Sequence, residues 1–374
     1  MSTPDELVAA LAARGDLDLS SNSEIGDAFL HVARERFTPD AYWVEGPGGV
    51  YVPRAKGDDP ALWAEPVYRN ELIVTQVDGG AEPLPGAVGH VSTCSLSAPG
   101  IVALMLRQAA IKPGDRVLEV GTGQGFNSAL CAHLSGGGVV SVEIDAALAD
   151  VARGNLMGDS VSVLVADGKL GAARRGPFDV ILSTVAFDRV PSAWLGQLAP
   201  GGRIVLPLHK PFYRWGVLTL GVKADGGAEG EFLHDGNFMA DRSVARPDHP
   251  PFSGVGKTTV TGLSPEMILG SGDAQFALAH ALPGVRQWKG LYENEPEKAR
   301  WYSLWVWDGA GSWAAADYQP GARVFEVEQY GPRSLWVEIE AAYRGWVELG
   351  MPRVEDWRYV VDRGVQRLVP KPGA

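Results

Sequence analysis

Val117-Leu-Glu-Val-Gly-Thr-Gly-Gln-Gly-Phe-Asn127 decides the fold. A short apolar strand enters a turn with glycine at 121, 123 and 125, and a helix begins near Asn127. Glycine lets the backbone turn tightly and lets a ligand approach the main chain. The same texture extends outward. Short apolar runs at 116–120, 139–144, 161–165, 178–183 and 203–207 alternate with amphipathic segments. Strands alternating with helices predict βαβ units, hence an α/β, Rossmann-like parallel sheet with helices on both faces. A hairpin at 217–222 and 231–233, around the turn Asp225–Gly230, is expected to follow.

The turn reads Gly-x-Gly-x-Gly, whereas a dinucleotide fingerprint wants Gly-x-Gly-x-x-Gly to seat a pyrophosphate. An acid, Glu119, precedes it inside the strand. Glu143 ends the next strand 22 residues past Gly121, and Asp167, followed by Gly168, ends the third. Open α/β sheets bind ligands at these carboxyl ends. A ligand with an adenosine and an amino-acid tail, and no pyrophosphate, uses all of them. Glu119 can hold the tail ammonium, directly or through water; Glu143 can accept from both ribose hydroxyls; Asp167 can accept from the adenine amino group. Any one acid alone reads as a solvated loop charge or a helix cap, but four features in order point to S-adenosylmethionine. The expected cofactor set is Glu119, Gly121, Thr122, Gly123, Gly125, Asn127, Glu143, Ile144, Asp167 and Gly168, with Asn127 either touching the cofactor or capping its helix.

The flanks have a different character. Thr3, Pro4 and Glu6 form a capping-box start for a helix over 5–14, and a second helix is expected at about 24–37. From 40 to 85 the chain is rich in Gly, Pro and Trp and reads as irregular, apart from a strand at 71–76. A Pro-rich linker at 246–252 leads into a tail that holds eight of the twelve tryptophans: 288, 301, 305, 307, 313, 336, 346 and 357. One helix stands out there, from Ser334 to a stop at Gly350, with Trp336, Ile339, Tyr343 and Trp346 on one face. The tryptophans form either a small core or a substrate groove. The expected division is 1–85 (N-terminal helical extension), 86–241 (catalytic domain) and 242–374 (C-terminal accessory, substrate-recognition domain). A net charge of −12 argues against a nucleic-acid partner, and no apolar run approaches the roughly 20 residues of a membrane span. The N-terminus lacks a signal-peptide pattern, so a cytoplasmic protein is expected. Two cysteines exclude a disulfide scaffold or a Cys-rich zinc site, and no metal is expected.

Over roughly residues 88–210 the chain resembles the protein-L-isoaspartate O-methyltransferases. That family carries a Thr-Ile-Ser-x-Pro segment before the Gly-rich strand, and Ser95-Leu-Ser-Ala-Pro99 stands in its place. Ala166-Asp-Gly168, Pro177-Phe-Asp-Val-Ile181, Leu198-Ala-Pro-Gly-Gly202 and Ile204-Val-Leu-Pro207 follow in family order. The resemblance implies a class I SAM-dependent methyltransferase fold, adds Ser95 to the cofactor set, and implies a peptide or protein substrate. Departures are Ser for Thr at 95, Val185–Asp188 after the fourth strand, and the Trp-rich tail, which repair enzymes of the family lack at this size. The whole chain looks more like family members of ribosomal-peptide (graspetide, lasso-peptide, lanthipeptide) biosynthesis. That likeness implies methylation of an aspartate in a precursor peptide, leading to an aspartimide or isoaspartate. Repair of isoaspartyl proteins is the alternative, followed by a small-molecule methyltransferase and a non-catalytic SAM-binding interaction protein.

Methyl transfer to a carboxylate needs no general base, because a group with a pKa of about 4 is already ionised at neutral pH. Positioning and desolvation are what remain for the protein to supply. Ser97 is the catalytic candidate, its hydroxyl orienting the acceptor carboxylate; the plainer reading makes it the cap of the helix that follows. His133 and His209 have no partners at ligand spacing and read as structural or solvated. Cys94 reads as a small buried apolar residue.

Overall fold

The computed structural model describes residues 3–213, 216–222, 227–234, 238–242, 254–292 and 299–372. The expected linker at 246–252 lies outside these residues, as does the start of the expected turn at Asp225. The first helix, α1 (Pro4–Arg14), has the expected capping box: the Thr3 hydroxyl accepts from the Glu6 N–H and the Glu6 carboxylate accepts from the Thr3 N–H. It ends at Gly15, whose φ of 79° is the left-handed stop. The helix expected at 24–37 is broken. α2 covers only Ser23–His31, Val32 and Ala33 are non-helical, and a 3-10 turn follows at Arg34–Phe37.

The break delivers Arg34 to the interior, where it is 1% exposed. Its guanidinium donates to four main-chain oxygens: Pro66 (3.0 Å), Val67 (2.9 Å), Glu71 (2.9 Å) and Ser97 (3.1 Å). Burial pushes its pKa down to about 10, so it stays charged at neutral pH. This ties the N-terminal helices to the segment that carries Ser97.

The Gly- and Trp-rich stretch, expected to be mostly irregular, forms a four-stranded antiparallel sheet: β1 (Ala41–Glu45), β2 (Tyr51–Ala55), β3 (Ile73–Val77) and β4 (Ser92–Leu96), in the order β2-β1-β3-β4. A short helix, α3 (Pro60–Ala64), links β2 to β3, and α4 (Pro99–Ala109) follows β4. Next come β5 (Val117–Val120), α5 (Phe126–Ser135), β6 (Val139–Glu143), α6 (Ala146–Asn155), β7 (Val161–Val165), β8 (Phe178–Ser183), α7 (Ser192–Leu195) and β9 (Leu198–Pro207). These five strands are parallel, as their apolar runs predict, and the expected hairpin follows as β10 (Val217–Val222) and β11 (Ala228–His234).

The C-terminal third contains β12 (Lys257–Thr261), α8 (Pro265–Leu269), α9 (Gly272–Ala281), β13 (Arg286–Leu291), β14 (Tyr302–Trp307), β15 (Trp313–Tyr318), β16 (Phe325–Tyr330), α10 (Leu335–Glu348), β17 (Trp357–Asp362) and β18 (Val365–Pro370). Strands β12 to β16 make a separate antiparallel sheet, order β12-β16-β15-β14-β13, against which α10 packs through the buried Leu335, Trp336 and Ile339. The last hairpin does otherwise. It pairs with β11 and extends the central sheet to nine strands, β18-β17-β11-β10-β9-β8-β5-β6-β7.

Both expected boundaries are therefore crossed. β4, beyond residue 85, belongs to the N-terminal sheet, and β17–β18, beyond residue 241, belong to the central one. Alternate side chains of β5 feed two cores. Val117 packs with Leu7, Phe29 and Phe37 of the N-terminal segment; Leu118 and Val120 pack with Phe276, Trp346 and Tyr359 of the C-terminal one. No helix among the described residues is long and apolar enough to cross a membrane.

Replacing Arg34 with Met should leave four main-chain carbonyls without their donor, and should destabilise the fold by about 3 kcal/mol. Lys should restore only part, since an ammonium has three donors and no planar fork. Calorimetric melting reads this directly: an Arg34→Met protein that melts at the wild-type temperature would show that the clamp is dispensable.

Candidate active site

β5 lies between β6 and β8, and the chain runs from β5 outward to β6 and β7 before crossing back to β8 on the other side, so the strand order reverses at β5. The carboxyl ends of these strands open into a cleft of about 1430 Å³. Ser95, Ser97, Gly121, Gly123, Glu143, Ile144, Asp167 and Gly168 of the expected set all line it. The turn after β5 requires glycine: φ is 95° at Gly121 and 54° at Gly123. It requires the space as well, since a Cβ at Gly121 would lie 2.6 Å from Val185 Cγ2 and 2.9 Å from Thr184 Oγ1. Glu143 reaches under this turn. One carboxylate oxygen accepts from the Gly123 N–H (2.9 Å), the other from the N–H groups of Ile144 (2.9 Å) and Asp145 (3.1 Å). Asp167 accepts from the Lys169 N–H at 2.9 Å and borders the same space.

Glu119, Thr122, Gly125 and Asn127 are not among the residues that line the cleft. Glu119 is 0% exposed and sits behind the turn, where its carboxylate accepts from Asn127 Nδ2 (2.8 Å), Ser141 Oγ (2.7 Å) and the Ser128 hydroxyl. Burial outweighs these bonds and pushes its pKa up to about 7. The expectation that Glu119 grips the cofactor tail directly is thereby corrected: the strand points it at α5. Asn127 does not cap its helix either, because Gly125 holds the cap position with no side-chain bond and the Asn127 amide reaches back to Glu119. Thr122 Oγ1 lies 2.6 Å from Ser141 Oγ, and Gly125 packs towards Leu156. These four residues brace the turn from behind.

Ser97 is no cap. The cap position of α4 is Ala98, without a side-chain bond, and the Gly100 N–H is satisfied by Asn70 Oδ1 at 2.7 Å. The Ser97 carbonyl is held by Arg34, while its hydroxyl makes no hydrogen bond to a described residue and borders the cleft. Cys94 is buried as expected, with burial pushing its thiol up to about 11. His133 has partners that linear spacing could not show: Nε2 lies 2.9 Å from Asp27 Oδ2, and its ring stacks on His31 at 5.3 Å. His209 lines the cleft.

Sequence reasoning missed the segment 238–242, which crosses the cleft. Ala186 exchanges main-chain bonds with Met239 and Asp241 at 2.9 Å each. Asp241 pairs with Lys169 at 2.6 Å, and Arg242 bridges Asp145 (3.1 Å) and Gln76 (3.0 Å). No periodicity marks it, since its contacts are all to distant segments. Arg286, Gln287, Trp288 and Trp307 of the C-terminal sheet border the cleft too.

Residues 82–233 match the family described as protein-L-isoaspartate(D-aspartate) O-methyltransferase. The chain is 37% identical over 203 residues to a protein-L-isoaspartate O-methyltransferase of Methylorubrum extorquens, covering 54% of this chain and 71% of that one. It is 43% identical over 155 residues to one of Anaeromyxobacter dehalogenans, covering 40% and 72%. The chain belongs to the protein-L-isoaspartate O-methyltransferase family. A solved chain of the same description superposes with a TM-score of 0.57 at 20% identity, covering 98% of this chain and 99% of that one. That likeness concerns the fold, and it runs through the C-terminal third. The tail therefore does not set this chain apart from structures of that description, contrary to what the family resemblance implied.

The fold is that of class I SAM-dependent methyltransferases, and S-adenosylmethionine is the family's cofactor. The site fits it. Gly121 and Gly123 of the turn line the cleft, and Glu143 and Asp167 bound the same space at the ends of β6 and β7.

Adenosylhomocysteine should raise the melting temperature, because a ligand bound only to the native state stabilises it. Glu143→Ala and Asp167→Ala should each shrink that rise; undiminished shifts in both would remove these acids from the site. Glu119 makes a separate prediction. Its folded pKa of about 7 lies above its ordinary 4.5, so its contribution to stability is full below pH of about 4.5 and is lost as pH rises through 7. Glu119→Gln, which cannot titrate, should gain about 3 kcal/mol on the wild type between about pH 5 and pH 8. Parallel melting-versus-pH curves for the two proteins would refute the buried titration.

Proposed function

We propose that this protein is a SAM-dependent carboxyl O-methyltransferase that esterifies isoaspartyl side-chain carboxylates in polypeptides, from a cytoplasmic location. The observation that carries the reading is Ser97: a hydroxyl unengaged by any described residue, in the family's Ser-x-Pro position, on the wall of the cleft that holds Glu143 and Asp167. When bound, the cofactor supplies an electrophilic methyl group on a sulfonium. The chain's residues then have three tasks. Glu143 accepts from the ribose hydroxyls and Asp167 from the adenine amino group. The Gly121–Gly123 turn admits the tail. Ser97 donates to one oxygen of the acceptor carboxylate and leaves the other to attack. No base is required, because the acceptor is already ionised. The match to curated isoaspartyl enzymes over more than two thirds of their length favours this substrate over the others weighed.

A second reading has one observation behind it. The five-stranded C-terminal sheet borders the cleft through Arg286–Trp288, which favours a role for that sheet in selecting a particular peptide. On this reading the acceptor is an aspartate of a ribosomally made precursor peptide, and the ester closes to an aspartimide.

Mass spectrometry of matched aspartyl and isoaspartyl peptides distinguishes the two. Ester on the isoaspartyl peptide supports the first reading; ester on neither, with a gene-neighbouring peptide methylated instead, supports the second. Ser97→Ala should lower turnover about tenfold or more, the worth of a hydrogen bond to a charged group. Adenosylhomocysteine affinity and melting temperature should stay at wild-type values. Full activity in Ser97→Ala would end its role in orientation.

A further inference from the structure

Away from the cleft, the contact between α2 and α5 carries a cluster that the reaction does not use. Asp27 and His31 lie one helical turn apart on α2, so both side chains leave the same face. His133 stands in the last turn of α5. One Asp27 carboxylate oxygen lies 2.9 Å from His133 Nε2 and the other 3.2 Å from His31 Nδ1. The two imidazoles stack with their centroids 5.3 Å apart. All three side chains are exposed, and none borders the cleft.

Packing beneath holds the cluster in place. The buried Phe29 of α2 meets the buried Phe126 of α5 edge to face at 6.1 Å. The two helices are therefore docked before anything binds above them. One nitrogen or oxygen from each of the three side chains lies within 4.8 Å of the other two. Around a tetrahedral zinc ion, with bonds of about 2.0 Å, neighbouring ligand atoms stand about 3.3 Å apart. Small rotations of exposed side chains close the difference.

We propose that Asp27, His31 and His133 bind one divalent transition-metal ion of the zinc type, and that the ion cross-links α2 to α5. The donor set selects the class of ion. Two imidazoles and one carboxylate suit zinc, nickel or copper, whereas magnesium and calcium take oxygen ligands. Each imidazole binds through one ring nitrogen and carries its proton on the other. Water completes the coordination, because the site is open to solvent. Both cysteines are buried, so no surface thiolate competes for the ion. The link joins side chains 106 residues apart in the chain. It ties the helix that leads into the Arg34 clamp to the helix whose first turn holds Glu119. The unfolded chain does not hold these three groups together, so the ion stabilises the native state.

The test is titration calorimetry and thermal melting of the full chain, free of any histidine tag and stripped with a chelator, in zinc chloride or magnesium chloride. A pH of about 8 keeps ordinary imidazoles neutral. Zinc should bind at one ion per chain and raise the melting temperature, and the chelator should reverse the rise. Magnesium at the same concentration should do neither. His31→Ala and Asp27→Asn should each weaken zinc more than about tenfold, since losing a ligand costs at least as much as losing an outer-shell partner. Both side chains are exposed, so the metal-free His31→Ala protein should melt at the wild-type temperature and bind adenosylhomocysteine as tightly. The proposal is overturned if zinc neither binds nor raises the melting temperature, or if magnesium raises it equally. It is overturned too if both variants keep wild-type zinc affinity, which would assign the ion to others of the seven histidines.

Discussion

The buried carboxyl of Glu119 is the constraint on which the cofactor end of the molecule depends. It stands in the central strand, fully removed from solvent, and gathers Asn127 and Ser128 from the first turn of α5 and Ser141 from β6. A buried acid is costly unless its lone pairs are satisfied, so these three partners must sit where they do. Satisfying them fixes the start of α5 relative to β5 and β6. The glycine turn spans that gap, and its geometry follows. The turn is then held on its other side by Glu143, whose carboxylate takes the Gly123 N–H. Two acids thus set one loop, Glu119 through the helix that the loop leads into and Glu143 through the Gly123 N–H.

The acceptor side is built by a different device. Arg34 gathers four carbonyls from three segments, among them that of Ser97. A guanidinium can serve several main-chain oxygens at once because its donors fan out in one plane. The N-terminal helices thereby position a residue of the methyltransferase core, and the side chain proposed to orient the acceptor is placed through its own backbone. Its hydroxyl is left for the substrate because Asn70 has taken over the capping of α4.

The C-terminal third is attached by two means. Its last hairpin continues the central sheet, and Phe276, Trp346 and Tyr359 complete the core beneath β5. Its own sheet is thereby held with β13 facing the cleft. Most of its tryptophans serve packing, as their burial shows, and the exposed one, Trp288, borders the cleft.

The sequence by itself determined the parallel core and half of the site. Short apolar runs between amphipathic segments can bury both faces of a strand only in a parallel sheet covered by helices. A turn of alternating glycines at its centre must lie at the carboxyl end of a strand, and Glu143 and Asp167 follow from their places in that pattern, whereas Ser97 was legible through the family's Ser-x-Pro element. Only the tertiary structure decided that Glu119 turns away from the cleft, since its strand position is the same whichever face it points to. The N-terminal sheet was hidden because its five-residue strands are short and separated by Gly- and Pro-rich connections, and the helix at 24–37 broke because a long-range clamp on Arg34 outweighed local periodicity. The segment 238–242 and β13 reached the cleft through contacts between residues far apart in the chain, and no pattern of neighbours encodes such contacts.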